Sequence, residues 1–402
     1  MKRVDMIKQI AAVALLATAL TGCSTVKGWF AGKNASAKKA AEPAELVDFK
    51  PSLKVSKLWS EHVGKGEKHT GVRQTPVVAD GHVYVAALEG GVRALDLQSG
   101  KELWKYVPEK EKKKAPLRLS GGPGAGEGLV VVGSLGGDVI ALDAANGSKK
   151  WQARINAEII TPPAVSQGMV FLRSNDGRIT ALDAATGERR WFHDQELPLL
   201  TVRGNAPVVA GPGVLFVGND DGTLSTLAMN DGRVLWQQTI GSPEGRSELD
   251  RMADVDAAPV LEGTTLFASS YKNETQAIEG PTGRPMWTRD HGGIGGVGIS
   301  SGLVIVSDRD GTVWALDKTS GAPMWSQPAL ARRSLTGPTV QGDYVAVGDY
   351  KGYVHWMRLD NGEFAARERV GRKAILGQPV QADGLLLVQD TKGELTAFKL
   401  GQ

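Results

Sequence analysis

One short frame recurs along this chain and limits its fold more than any other feature. Ala94-Leu95-Asp96, Ala141-Leu142-Asp143, Ala181-Leu182-Asp183 and Ala315-Leu316-Asp317 are each followed four residues later by a glycine, and four after that by Trp104, Trp151, Trp191 and Trp325. Looser copies keep the spacing: Thr226-Leu227-Ala228 to Gly232 and Trp236, and Ala277-Ile278-Glu279 to Gly283 and Trp287. A seventh copy runs from Trp356-Met357-Arg358 to Gly362, with Ala366 where tryptophan is expected; the last, Ala397-Phe398-Lys399, reaches the end of the sequence first. Trp59 stands ahead of the first copy, and from Trp59 to Ala366 the steps are 45, 47, 40, 45, 51, 38 and 41 residues. That is the spacing of four-stranded propeller blades.

Each repeat divides into four strands. Pro76, Pro207, Pro259 and Pro379 open a first strand, where a missing N–H is tolerated. Asp176-Gly177, Asp221-Gly222 and Asp310-Gly311 are hairpin turns in which glycine supplies the positive φ. The triplet occupies the third strand and the tryptophan the fourth; no helical period of 3.6 runs through the body. Sheets of this kind bury their faces only by stacking on one another, and stacking at constant rotation closes a ring. The predicted fold is therefore all-β: an eight-bladed β-propeller of four-stranded antiparallel blades, its last blade completed by an N-terminal strand, Lys54 to His62, carrying Trp59. The tryptophans are expected to wedge neighbouring blades apart rather than stack a ligand, and Trp356 to fill the gap at Ala366.

Ahead of the repeats the composition changes. Lys2, Arg3 and Lys8 precede an uncharged, largely apolar run from Ile10 to Leu20, too short to span a bilayer and patterned as a secretory signal. Leu20-Thr21-Gly22-Cys23 resembles the lipobox of bacterial lipoproteins, and Cys23 is the single cysteine among 402 residues. That resemblance implies removal of residues 1–22 and acylation at Cys23. Two or three acyl chains together hold a protein stably on a membrane where one does not. Ser24, not aspartate, follows the cysteine, which in lipoproteins implies sorting to the outer membrane. Residues 23–52 then read as a lipidated flexible tether and residues 53–402 as the propeller. The formal net charge is +3, concentrated in the signal segment, so the body offers no electrostatic footprint for nucleic acid.

The repeat frame resembles that of quinoprotein (PQQ) dehydrogenases over residues 53–402. Taken with the lipobox, the eight repeats, Leu200-Thr201-Val202-Arg203-Gly204 and Asp250-Arg251-Met252-Ala253-Asp254-Val255-Asp256, it resembles the BamB family, lipoproteins of the outer-membrane β-barrel assembly machinery. The resemblance implies a non-enzymatic scaffold without cofactor or metal, anchored on the periplasmic face of the outer membrane. Its implied role is to bind the POTRA domains of BamA, within the Bam complex, and to help outer-membrane β-barrel proteins fold and insert, with nascent barrels as further partners. The spacing leads to the same two segments by another route. The connections between Trp191 and Pro207 and between Trp236 and Pro259 are expanded, belong to consecutive blades and share one face. Leu200, Val202, Arg203, Arg251, Asp254 and Asp256 are thus the candidate partner-binding residues, apolar anchors with a charged rim. The plainer reading has Leu200 and Val202 plugging the ring while Asp254 caps a turn.

An enzymatic reading, a periplasmic PQQ-dependent dehydrogenase, calls for a calcium site, a catalytic carboxylate and usually a vicinal disulfide. The lone cysteine is committed to lipid, and His62, His69, His82, His193, His291 and His355 show no pair at metal-ligand spacing. The recurring triplet aspartate is better suited to bonding its own turn than to acting as a base. A sensor propeller with a small axial ligand is a third reading, neither demanded nor excluded by the residues.

Overall fold

The computed structural model describes residues 42–66, 70–109 and 116–401; the signal segment and Cys23 lie outside these. Eight four-stranded sheets account for the strands described. Blades one to seven span residues 77–106, 119–154, 164–193, 209–239, 260–289, 297–327 and 339–369, each a simple antiparallel meander. The eighth combines three C-terminal strands with the N-terminal Val55–His62 as its outer member. Val55 pairs with Leu400, Trp59 with Ala397 and His62 with Glu394, so the two ends of the sequence share one ladder. The predicted eight-bladed propeller and its closure by the N-terminal strand are both present.

The blades are joined by the tryptophans. Each indole N–H donates to a backbone carbonyl of the next blade, just beyond that blade's triplet: Trp59 to Leu97 at 3.0 Å, Trp151 to Ala184 at 2.8 Å, Trp287 to Lys318 at 3.0 Å. The same bond recurs from Trp104, Trp191, Trp236 and Trp325. Each ring lies flat over the glycine of the neighbouring turn. At Gly187, φ is +76° and a β-carbon would stand 2.6 Å from the ring of Trp151, so that glycine is required twice over. Fully burying an indole removes about 150–250 Å² from water, about 4–6 kcal/mol at 25 cal/mol/Å². The triplet aspartates bond their own turns as expected: Asp96 Oδ1 accepts the Ser99 N–H at 2.8 Å, and Asp317 Oδ1 the Ser320 N–H at 2.8 Å.

The seam between blades seven and eight is built differently. Trp356 is fully buried, lies edge-on to Phe398 with centroids 5.4 Å apart, and donates to Gln341 Oε1 at 3.0 Å. Gln341 in turn donates to Gly384 O in blade eight at 2.9 Å. Trp356 fills the space at Ala366, as the repeat comparison predicts, and an amide relays the blade-to-blade bond.

The compact body begins at Leu46, ahead of the expected boundary at residue 53. Phe49 stacks on Phe364 with centroids 5.5 Å apart, Arg367 donates to Val47 O, and the N–H groups of Ser52 and Leu53 both reach Ala365 O. Alternating apolar residues too few to register as a strand hold this segment against blade seven.

Candidate functional site

The connections from each fourth strand to the next first strand converge at one end of the ring. Residues leading into the first strands of several blades, among them Arg73, Ile160, Asn205, Asp256, Ile294 and Gln378, line an axial cavity of about 220 Å³. The two expanded connections meet beside it, and the structure divides the six candidate residues between them by depth.

Three of the six stand at or near the surface of the first loop. Leu200 is exposed, beside Leu199, which at 90% exposure is the most open large apolar side chain described. Val202 is half-buried. Arg203 crosses to two other connections, donating from Nε to Thr70 O at 2.8 Å and pairing with Glu158 at 2.8 Å, while its side chain stays 43% exposed. Leu197 packs at the Gly177 turn of blade three, where a β-carbon would come within 2.9 Å of its Cδ2.

Arg251 occupies the second loop. It closes a single helical turn, Glu248–Arg251, capped by reciprocal bonds between Ser247 and Asp250. Its guanidinium pairs with Glu248 at 2.9 Å and donates to Gly245 O at 3.1 Å. Lys272 ties the loop down from blade five by donating to the carbonyls of Glu244 and Asp250.

Asp254 and Asp256 correct the expectation of a charged rim: both are buried, at 0% and 3% exposure. They act as posts beneath the first loop. Asp254 Oδ1 accepts the Val202 N–H at 2.7 Å, and Asp256 Oδ1 accepts the Asn205 N–H at 3.1 Å. Expanded loops carry backbone donors that no ladder satisfies, and a buried carboxylate is a strong acceptor for them. The structure thus brings the two segments together as expected but sets Arg251 apart on the outer turn. Of the plainer reading, Asp254 does bond loop backbone, but Leu200 does not plug the ring: the loop's apolar tip remains outside.

Sequence reasoning missed the layer below. Arg173, 1% exposed, pairs with Asp220 at 2.7 Å and also donates to Gly218 O. The signal was available: the corresponding second-strand position holds Ala86, Gly133, Gly218, Ser269, Ser307, Gly348 and Gln389 in the other blades, and a charge only here. Carboxylate oxygens of Asp220, Asp254 and Asp256 lie within 4.8 Å of one another. Burial pushes Asp254 up to about 6, partly opposed by the Val202 bond, and pushes Asp256 up to about 7, with Arg73 opposing and the neighbouring carboxylates adding to the rise.

An eight-bladed ring of tryptophan-wedged repeats with a pinned apolar loop over one mouth defines a PQQ-type repeat propeller. At the level of fold alone, a europium-containing methanol dehydrogenase superposes with a TM-score of 0.68 at 15% identity, covering 86% of this chain and 93% of that one. The family profile described as "Outer membrane protein assembly factor BamB" matches residues 56–119, 89–327 and 309–401. The assembly factor BamB of Xanthomonas campestris pv. campestris is 66% identical over the whole of both chains, and that of Escherichia coli K12 is 35% identical over 94% of this chain and 95% of its own. The crystal structure of BamB from Moraxella catarrhalis superposes with a TM-score of 0.76 at 25% identity, covering 86% of this chain and all of that one. The chain belongs to the BamB family of outer membrane protein assembly factors.

Proposed function

We propose that this chain is a non-enzymatic scaffold lipoprotein of the outer-membrane β-barrel assembly complex, docking the periplasmic POTRA domains of BamA through the loop from Leu197 to Arg203. The observation that carries the reading is an apolar tip held rigid: Leu199 and Leu200 face outward while Asp254 grips Val202 N at 2.7 Å from below. A loop ordered before binding forfeits less conformational entropy on docking, and an exposed apolar cluster beside an arginine has the composition of an interface hot spot. The relatives' shared name, an assembly factor, supports the same role. Arg203 is already oriented by Thr70 and Glu158, so the part of its guanidinium left exposed can meet a partner without reorganisation.

The anchoring belongs to the same proposal: residues 1–22 are removed, Cys23 is acylated, and a tether ahead of Leu46 places the propeller on the periplasmic face. Among the described residues no helix is long and apolar enough to cross a membrane. Palmitate labelling of the wild type, lost in Cys23→Ser, is expected; equal labelling of both would refute the anchor. Docking is tested by co-purification of BamA from solubilised envelope. Leu200→Ala with Arg203→Ala is expected to reduce capture about tenfold or more, with the melting temperature unchanged; undiminished capture would remove the loop from the interface. For the non-enzymatic part, the purified protein should show no quinone absorbance, and a quinone band would restore the dehydrogenase reading.

A further inference from the structure

Beneath the docking loop lies a polar pocket whose chemistry is incomplete. Asp220, Asp254 and Asp256 are all buried, and one carboxylate oxygen from each lies within 4.8 Å of the other two. Arg173 pairs with Asp220 and with no other member. Three carboxylates against one buried guanidinium leave two negative charges uncompensated when all are ionised; Arg73, half-buried on the cavity wall and bonded to Ile294 O at 3.0 Å, acts at longer range.

Two observations separate this group from an ordinary acidic cluster. The first is that Oδ2 of Asp254 and Oδ2 of Asp256 have no hydrogen-bond partner, although both residues are more than nine-tenths buried and their Oδ1 atoms are fully engaged with the loop backbone. A buried, unpartnered carboxylate oxygen is expensive, and two in one cluster of buried carboxylates more so. The second is access. Asp256 stands on the wall of the axial cavity of about 220 Å³, and Gly204 lies against its Oδ2, where any β-carbon would collide.

We propose that Asp220, Asp254 and Asp256 form a binding site for one hard divalent cation of the calcium and magnesium class, seated between the loop posts and reached from the axial cavity. An all-oxygen donor set of carboxylates suits these ions and not zinc or copper, which favour nitrogen and sulfur. The divalent charge matches the two uncompensated carboxylates, and water from the cavity completes the coordination shell. Because the ligating residues are the ones that hold Val202 and Asn205, an ion here braces the docking loop. Its binding is a property of the isolated chain and does not depend on the partner assignment.

The test is calorimetric titration of calcium chloride and magnesium chloride into the full chain in detergent, after chelator treatment, with native mass spectrometry of the product. One ion per chain is expected, with binding about tenfold or more weaker in Asp254→Asn and Asp256→Asn. Asp231→Asn, an exposed turn carboxylate that accepts Arg233 N at 3.0 Å, should bind as the wild type does. Tryptophan-fluorescence melts establish that the variants fold: without ion, Asp256→Asn removes like-charge repulsion and should melt no lower than the wild type, and millimolar calcium should stabilise the wild type and Asp231→Asn but neither Asp254→Asn nor Asp256→Asn. No heat and no added mass at millimolar ion, or binding undiminished in Asp256→Asn, would overturn the site; a pocket that merely takes up a proton gives the first of these results. No partner enters the assay, so failed BamA capture and failed ion binding are separate outcomes.

Discussion

The wedge tryptophans act across boundaries between blades, and the buried charges are held by partners buried beside them. In blade seven, Arg333 reaches Asp349 Oδ2 from Nε at 2.9 Å and from a terminal nitrogen at 2.6 Å, and His355 Nε2 meets the same oxygen at 3.2 Å. Burial alone would raise the Asp349 pKa, but His355 and Arg333 outweigh it and hold the carboxyl at about 2; burial keeps the His355 imidazole below its usual value, which leaves Arg333 as the permanent counter-charge. The folded pKa lies below the unfolded value, so this pairing stabilises the fold above about pH 4 and is lost as pH falls toward about 2, a contribution of about 2 kcal/mol. Asp349→Asn should cost about 3–5 kcal/mol at pH 7 by stranding Arg333, and urea unfolding at pH 7 and pH 3 should show a smaller acid loss in the variant than in the wild type. An equal acid loss in both would assign that sensitivity elsewhere. None of this network was legible in the sequence, since Arg333 lies in a connection, outside the repeated frame. What could be read was whatever repeats. The Ala-Leu-Asp aspartates were identifiable as turn-bonding groups, whereas Asp254 and Asp256 occur once each and find their donors about fifty residues away.

The outer strands carry a feature that the spacing did not reveal. In every blade the residue just before the wedge position is an unpaired bulge: Leu58, Lys150, Leu235 and Met286 are examples, each inserted between two partners that are adjacent on the third strand. A bulge re-aims the following side chain and disrupts the free edge, here turning the wedge residue toward the next blade while blunting the outer edges of the blades. The frame counted four residues from glycine to the wedge position in seven copies, and one of those four is this extra residue. Adjacent positions should therefore behave oppositely. Trp287→Ala should destabilise by about 3–5 kcal/mol, whereas Met286→Lys, at a position 57% exposed, should stay within about 0.5 kcal/mol of the wild type in chemical denaturation. Comparable losses at both would mean that the bulge side chain also packs. The same edge geometry argues against broad capture of client strands by edge pairing, and it directs attention back to the connections at the mouth.

Over the molecule as a whole, the N-terminal strand decides whether there is a ring at all. Val55–His62 supplies both the outer strand of blade eight and the wedge that seats on Gly100 of blade one. This was legible by counting, because eight triplets with seven downstream wedge positions leave one wedge to come from the N-terminal side. Deleting residues 54–62 should expose the edge of Glu394–Leu400 and replace a single cooperative transition with a broad one; a melt like that of the full chain would contradict closure. The candidate site was legible only in outline: loop length singled out the two segments, but burial decided which of their residues face outward. A photo-crosslinking residue at Leu199, on the mouth of the ring, should give an adduct with BamA in intact cells, and the same residue at Met324, on the outer edge of blade six, should give none. An adduct from Met324 with none from Leu199 would contradict docking through the pinned loop.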